Sequence, residues 1–227
     1  MDCVIGCDIG SQGTKAILLS TSGEVIGEAY EGYQIDYPHP LWAEQPAERW
    51  LDALMLAIRR LLSESGGVES KNVQAISLAV QVDGVIPIDS SGKPLYPAII
   101  WMDRRAHSQC ELVRQHREDD EIFELTGLNL DASHVAPKIQ WLAEHRPEIY
   151  ERATHFLLPG SYLAYYLTGE IAVDYSNASS TLLLDVHSKT WSLTMCDAFD
   201  IDINKLAPLG AATTTLGKLR PVVAEKL

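Results

Sequence analysis

The chain has 227 residues, 46% of them hydrophobic, with 31 acidic against 18 basic side chains and a net charge of −13. That is apolar material for one large core or two small ones, and the acidity argues against nucleic acid or an anionic membrane as a partner. No apolar run approaches the ~20 residues of a membrane span, and the N-terminus lacks a signal-peptide layout, so a cytoplasmic chain is expected. Cys3, Cys7, Cys110 and Cys196 have no CxxC spacing and read as reduced, buried thiols.

The stretch Cys3 to Thr21 reads as a strand, a turn of small residues (Gly10, Ser11, Gln12, Gly13) and a second strand from Thr14, ending at Ser22-Gly23. Such a hairpin tip exposes backbone N–H groups that can cradle an anion. Asp8 stands at its mouth, where a carboxylate holds a hydrated cation, and Lys15 follows the loop. Those parts suit a polyphosphate and its magnesium. A tight hairpin with an Asp at its entrance is the plainer alternative. The pattern is neither G-x-x-x-x-G-K-[ST] nor G-x-G-x-x-G, because a strand and not a helix follows the glycines.

Val25 to Tyr33 reads as a third strand, completing an antiparallel meander, and Tyr37 to Pro46 as irregular chain with three prolines. Ala47 to Glu64 is a predicted helix. Trp50, Leu51, Leu54, Met55, Ile58, Leu61 and Leu62 share one face, and Gly66-Gly67 end it. Val73 to Val80 is expected to be a buried strand leading into Gln81-Val82-Asp83-Gly84. A short strand over Val85 to Asp89 and an apolar run from Pro97 to Trp101 follow. Asp103 is then placed to cap a polar helix reaching about His116.

Between Asp119 and Glu151 the signals are helical, with Gly127 and Pro137 as interruptions. Ala153 to Leu158 reads as short and buried, and Ser161 to Leu167 as a helix with Thr168-Gly169 beyond its end. Ser179 to Val186 is β-rich and Trp191 to Phe199 helical. The tail from Leu206 to Leu227 has little periodicity. The fold class is α/β with a mixed sheet, three antiparallel strands beside parallel ones.

With these residues in view, the chain resembles the FGGY carbohydrate kinases, and within them the xylulokinases. The resemblance rests on Asp8 to Lys15, Gly92 to Arg105, Thr126-Gly-Leu128 with Ala136-Pro-Lys138 and Trp141, Tyr162-Leu with Leu167-Thr-Gly169, and Asp174 to Ser179. It implies a ribonuclease-H-like, actin/hexokinase-type lobe: a mixed five-stranded sheet, flanking helices and an inserted sugar-binding region. It implies ATP and Mg2+ as cofactors and a ketose such as xylulose, or a polyol, as the small-molecule partner. Asp8 would orient the magnesium through water. Gly10, Ser11, Gln12, Gly13 and Thr14 would wrap the γ-phosphate, with Lys15 close by. Gln81, Val82, Asp83, Trp101 and Asp103 would meet the sugar, Trp101 as an apolar wall and Asp103 as either a hydroxyl acceptor or a helix cap.

Xylulokinases commonly read Gln-Met-His-Gly where this chain has Gln81-Val82-Asp83-Gly84. Asp83 keeps a hydroxyl-reading group but leaves the identity of the sugar open. At Pro159-Gly160 many relatives carry an Asp where this chain has Gly160. Ser133 and His134 lie in a region that reaches the sugar in relatives, with a local match too loose to assign them. The Gly-Asp motif that carries the family's general base is not found after Pro221-Val-Val223. Residues 1–227 are therefore expected to be an N-terminal lobe, inactive alone, whose partner is the C-terminal nucleotide lobe of the same protein. A homodimer is compatible with the sequence. A non-catalytic carbohydrate-binding or regulatory module of the same fold is the alternative.

Overall fold

A computed structural model describes every residue except Met1 and Gly67. The chain opens with β1 (Cys3–Ile9), β2 (Gly13–Ser20) and β3 (Val25–Gly32), then β4 (Glu44–Gln45), α1 (Ala47–Glu64) and β5 (Val73–Val80). Next come β6 (Ile86–Ile88), β7 (Ala98–Ile99), α2 (His107–Arg114), α3 (Asp119–Thr126), α4 (Val135–His145), α5 (Pro147–Arg152), β8 (His155–Leu157) and α6 (Pro159–Thr168). Short elements complete it: β9 (Val173–Asp174), α7 (Tyr175–Ala178), β10 (Leu184–Asp185), β11 (Thr190–Trp191), α8 (Leu193–Ala198), β12 (Leu209–Gly210) and α9 (Pro221–Ala224). Among the described residues, no helix is long and apolar enough to cross a membrane.

The main sheet has the order β3-β2-β1-β5, so its described strands number four where five were expected. β1 to β3 form the antiparallel meander, and β5 returns parallel to β1, pairing Gly6 with Ser77 and Asp8 with Ala79. Alternation along β1 buries Cys3, Ile5, Cys7 and Ile9 and leaves Asp8 exposed. The buried side packs on α1, whose bounds match the sequence reading. Trp50, Leu54, Ile58 and Leu61 of its apolar stripe are buried, and Leu62 is half-buried at its margin. Burying one such Leu or Ile fully stabilises by about 2 kcal/mol. The helix ends at Glu64, before Gly66 at φ +55; Gly67 lies outside the described residues.

Several expectations give way. β5 has the expected bounds, but none of its residues is fully buried. It is the sheet's edge, and Ala75, Ser77 and Ala79 are exposed on the face away from α1. Pro137 does not interrupt a helix: it sits in the first turn of α4, where no intrahelical N–H bond is required. Ser179 to Val186 is mostly turns, contributing only the two residues of β10, and the helix expected from Trp191 begins at Leu193. Gly127 and Gly169 do end α3 and α6 in left-handed conformations, at φ 71 and 88.

The second half of the molecule is built on the antiparallel pairs β4–β7 and β6–β8. Ile86, Ile88, Ile99, Ile139, Leu142, Leu157 and Leu163 are buried there, in one cluster continuous with the core under α1. All four cysteines are free and buried, as expected. Burial pushes the Cys7 thiol up to about 12, which makes it inert beside Asp8.

Candidate functional site

The hairpin between β1 and β2 is closed by a bond from Gly10 N–H to Gly13 O at 2.9 Å. Behind it, side chains take the loop's carbonyls one by one. The Tyr33 hydroxyl donates to Gly10 O at 2.6 Å, Gln45 Nε2 to Ser11 O at 2.8 Å, and the Tyr30 hydroxyl to Gln12 O at 3.2 Å. Gln45 is itself braced by Trp50 Nε1 at 3.0 Å, from inside α1. Among the described residues, the N–H groups of Ser11 and Gln12 have no protein acceptor. With the carbonyls held from behind, the free donors are left for an outside anion. Thr14 is wholly buried below the loop. A Cβ at Gly13 would lie 2.3 Å from the Tyr30 hydroxyl, so a larger residue there would displace the Tyr30 ring.

Asp8 stands exposed at the end of β1, on the sheet face away from α1. That face is a groove lined by Gly6, Asp8, Lys15, Ile17, Ser77 and Ala79. Lys15 is paired there with Glu28 of β3 at 2.6 Å, both side chains more than half exposed. Such a surface pair is weak and yields readily to a stronger anion. No cluster of three or more His, Cys, Asp or Glu able to hold a metal occurs among the described residues. A cation at Asp8 would thus take its other ligands from phosphate and water, which suits magnesium.

Gln81 leaves β5 toward the loop. Its amide N–H bonds go to Gly10 O at 3.4 Å and Gln45 Oε1 at 3.2 Å, and its Oε1 accepts from Ser11 Oγ at 3.3 Å. Gln81 thus braces the loop, and both amide donors are used in doing so. Val82 is 46% exposed. Trp101 is 43% exposed and anchors its indole N–H on Ser11 Oγ at 2.8 Å. An isolated antiparallel bridge pairs Val85 with Ile99, each N–H donating to the other's carbonyl at 3.1 Å.

Asp83 is buried at φ +57, in left-handed backbone. Lys138 of α4 holds that turn: its Nζ donates to Asp83 O at 2.6 Å and to Ser133 O. The lysine is wholly buried, and burial pushes its ammonium down to about 7 against the opposing pull of Asp83. His134 Nδ1 approaches Asp83 Oδ2 to 3.4 Å. In the sequence His134 stands in the region left unassigned above, and Lys138 stands inside the Ala136-Pro-Lys138 signature with no role given to it.

Asp103 does not cap α2. It is wholly buried, and α2 begins four residues later without a side-chain cap. Its carboxylate accepts from Ala43 N–H at 2.6 Å and pairs with Arg105 Nη2 at 2.7 Å. Arg105 also meets Glu44 at 2.7 Å and lies over the Trp42 ring at 3.7 Å. Every acceptor direction of Asp103 is engaged, so its work is to tie the β4 segment to the β7–α2 connection.

The sequence profile described as "FGGY family of carbohydrate kinases, N-terminal domain" matches residues 3–227. A xylulose kinase of Escherichia coli K12 is 35% identical over 221 residues, covering 97% of this chain and 45% of the relative. A glycerol kinase of Trichodesmium erythraeum is 33% identical over 225 residues, covering 96% and 44%. The crystal structure described as a xyloylose kinase from Brucella ovis superposes with a TM-score of 0.89 at 28% identity, over 97% of this chain and 46% of the other. The chain thus spans about half the length of the relatives it matches. By the match over nearly its whole length, it belongs to the FGGY family of carbohydrate kinases.

Proposed function

We propose that this chain is the sugar-binding lobe of an ATP-dependent kinase that phosphorylates a ketose or a polyol. The observation that carries the proposal is the hairpin tip, whose three carbonyls are taken from behind while Ser11 and Gln12 keep free N–H donors beside Asp8. ATP bound with Mg2+ would supply the phosphoryl group and the charge neutralisation on which its transfer depends. The chain's own part is placement. Gly10 to Thr14 hold the terminal phosphate, Asp8 orients the hydrated cation, and Asp83 and Trp101 hold the sugar's hydroxyls and carbon skeleton.

The rest of the kinase, including the base that deprotonates the attacking hydroxyl and the adenosine pocket, belongs to the proposed second lobe. The unpaired edge of β5 supports a partner there, because an edge strand is rarely left bare. Binding is tested by titrating the 227-residue chain calorimetrically with D-xylulose, xylitol and glycerol. At least one should bind, and Asp83→Ala should weaken it about tenfold or more, as expected for loss of a charged hydroxyl acceptor. Binding that ignores Asp83 would remove the sugar site from this position.

A further inference from the structure

Among the described residues, a single hydrogen bond orients the Trp101 ring. The backbone beneath it is fixed: Ile100 N–H donates to Ala43 O at 3.1 Å, and Asp103 N–H closes a turn onto Ile100 O at 3.1 Å. The ring itself is 43% exposed and stacks on no other aromatic ring among the described residues. Its Nε1–H donates to Ser11 Oγ at 2.8 Å.

Ser11 carries that bond into the phosphate loop. Its N–H is one of the two without a protein acceptor, and its carbonyl is held by Gln45 at 2.8 Å. Its hydroxyl proton goes to Gln81 Oε1 at 3.3 Å, beyond the roughly 2.5–3.0 Å usual for an O–H donor. The hydroxyl therefore accepts firmly from the indole but gives its own proton weakly, next to free N–H donors. An anion seated on those donors is a stronger acceptor than the Gln81 amide and draws that proton to itself. Hydrogen bonds in a chain polarise one another, so a hydroxyl that donates to an anion accepts more strongly from the indole.

We propose that Ser11 is a positioning residue that couples the two parts of the site. A phosphate on the loop tightens the hold of Ser11 on Trp101, and the fixed ring then receives the sugar. By linkage, a sugar against Trp101 strengthens phosphate binding by the same factor. The loop takes the terminal phosphate of a polyphosphate, and the ring takes the carbon skeleton of a ketose or polyol. Ser11 acts on the sugar only through Trp101. This rests on the loop and sugar-wall reading above and adds to it a physical connection between the two.

The test is NMR spectroscopy of the isotope-labelled 227-residue chain, whose five tryptophans give five indole N–H signals. The signal lost in Trp101→Phe is that of Trp101. Titration with tripolyphosphate and magnesium should shift the backbone N–H signals of Ser11 and Gln12. It should move the Trp101 indole proton downfield over the same concentration range. In Ser11→Ala the loop signals should still respond, at higher concentration, and the Trp101 signal should not. Ser11→Thr keeps a hydroxyl and should restore the response. By calorimetry, saturating tripolyphosphate should tighten the best binder among D-xylulose, xylitol and glycerol about fivefold in wild type, and not in Ser11→Ala or Trp101→Phe. A wild-type indole signal that stays still while the loop signals shift overturns the inference and leaves the phosphate loop standing, whether or not Ser11→Ala folds. A gain in sugar affinity that survives Ser11→Ala overturns it as well. Failure of wild type to bind tripolyphosphate, or any of the three sugars, removes the proposed function along with it.

Discussion

Lys138→Met, measured against wild type across pH, tests the clamp beneath Asp83. The lysine is wholly buried and donates to two backbone carbonyls. Burial pushes its ammonium from 10.5 down to about 7. At about 1.36 kcal/mol per pH unit, that gap makes the charged form roughly 5 kcal/mol costlier in the folded chain than in water. The unfolded chain therefore binds an extra proton between about pH 7 and 10.5, and stability from this group rises with pH across that window. Half the protons are already lost at pH 7, so the gain from pH 7 to 9.5 is about 3 kcal/mol. Methionine cannot titrate, and the stability of wild type minus that of Lys138→Met should climb by this amount. At pH 9.5 the variant should also be the less stable, since Asp83 O and Ser133 O lose their donors at about 1–3 kcal/mol each. Urea unfolding followed by tryptophan fluorescence at several pH values reads both quantities. A difference flat to within about 0.5 kcal/mol would refute the reasoning, because it would mean that the carbonyls and Asp83 hold the proton against burial.

Asp103→Asn should destabilise by about 3–5 kcal/mol in the same assay, because Arg105 would stay buried with only Glu44 as a charged partner. A loss below about 1 kcal/mol, or a loss of sugar affinity with stability intact, would return Asp103 to the sugar site. Gly13→Ala should cost about 1 kcal/mol by driving the Tyr30 ring off Gln12 O, a cost that disappears in a Tyr30→Ala background. Additive effects in that double-mutant cycle would show that the glycine is needed for another reason.

What the sequence made legible is what depends on neighbours in the chain. The stripe of α1 repeats at 3.6 residues over eighteen positions, and both ends fell where the pattern stops. The meander is likewise local, since the turns at Gly10–Gly13 and Ser22–Gly23 dictate the antiparallel pairing. Burial of β5 was not legible, because it depends on which strands stand beside it, and β5 lies at an edge. Asp103 misled for a related reason. A lone Asp before a polar run looks like a cap, and nothing local reveals that Arg105 folds back on it or that Ala43, sixty residues earlier, donates to it. Asp83 was found as a strand-end residue in the family pattern, but His134 and Lys138 reach it only through tertiary packing.

The same distinction explains why Ser11 ties three separate segments to the hairpin tip although it looks like an ordinary turn residue. Its hydroxyl accepts from Trp101 and donates to Gln81, while its carbonyl accepts from Gln45. Those three partners come from the segment after β7, the end of β5 and the strand before α1. Each bond alone contributes about 1 kcal/mol, too little to fix a loop. Together with Tyr33 on Gly10 and Tyr30 on Gln12, they leave the hairpin tip no displacement of an ångström that does not break several bonds at once. A phosphate cradle needs that stiffness, since preorganised donors stabilise developing charge without reorganising. Because one of the bonds starts on Trp101, the wall proposed to face the sugar and the loop proposed to face the phosphate share a single serine, and their separation is set by the length of its side chain.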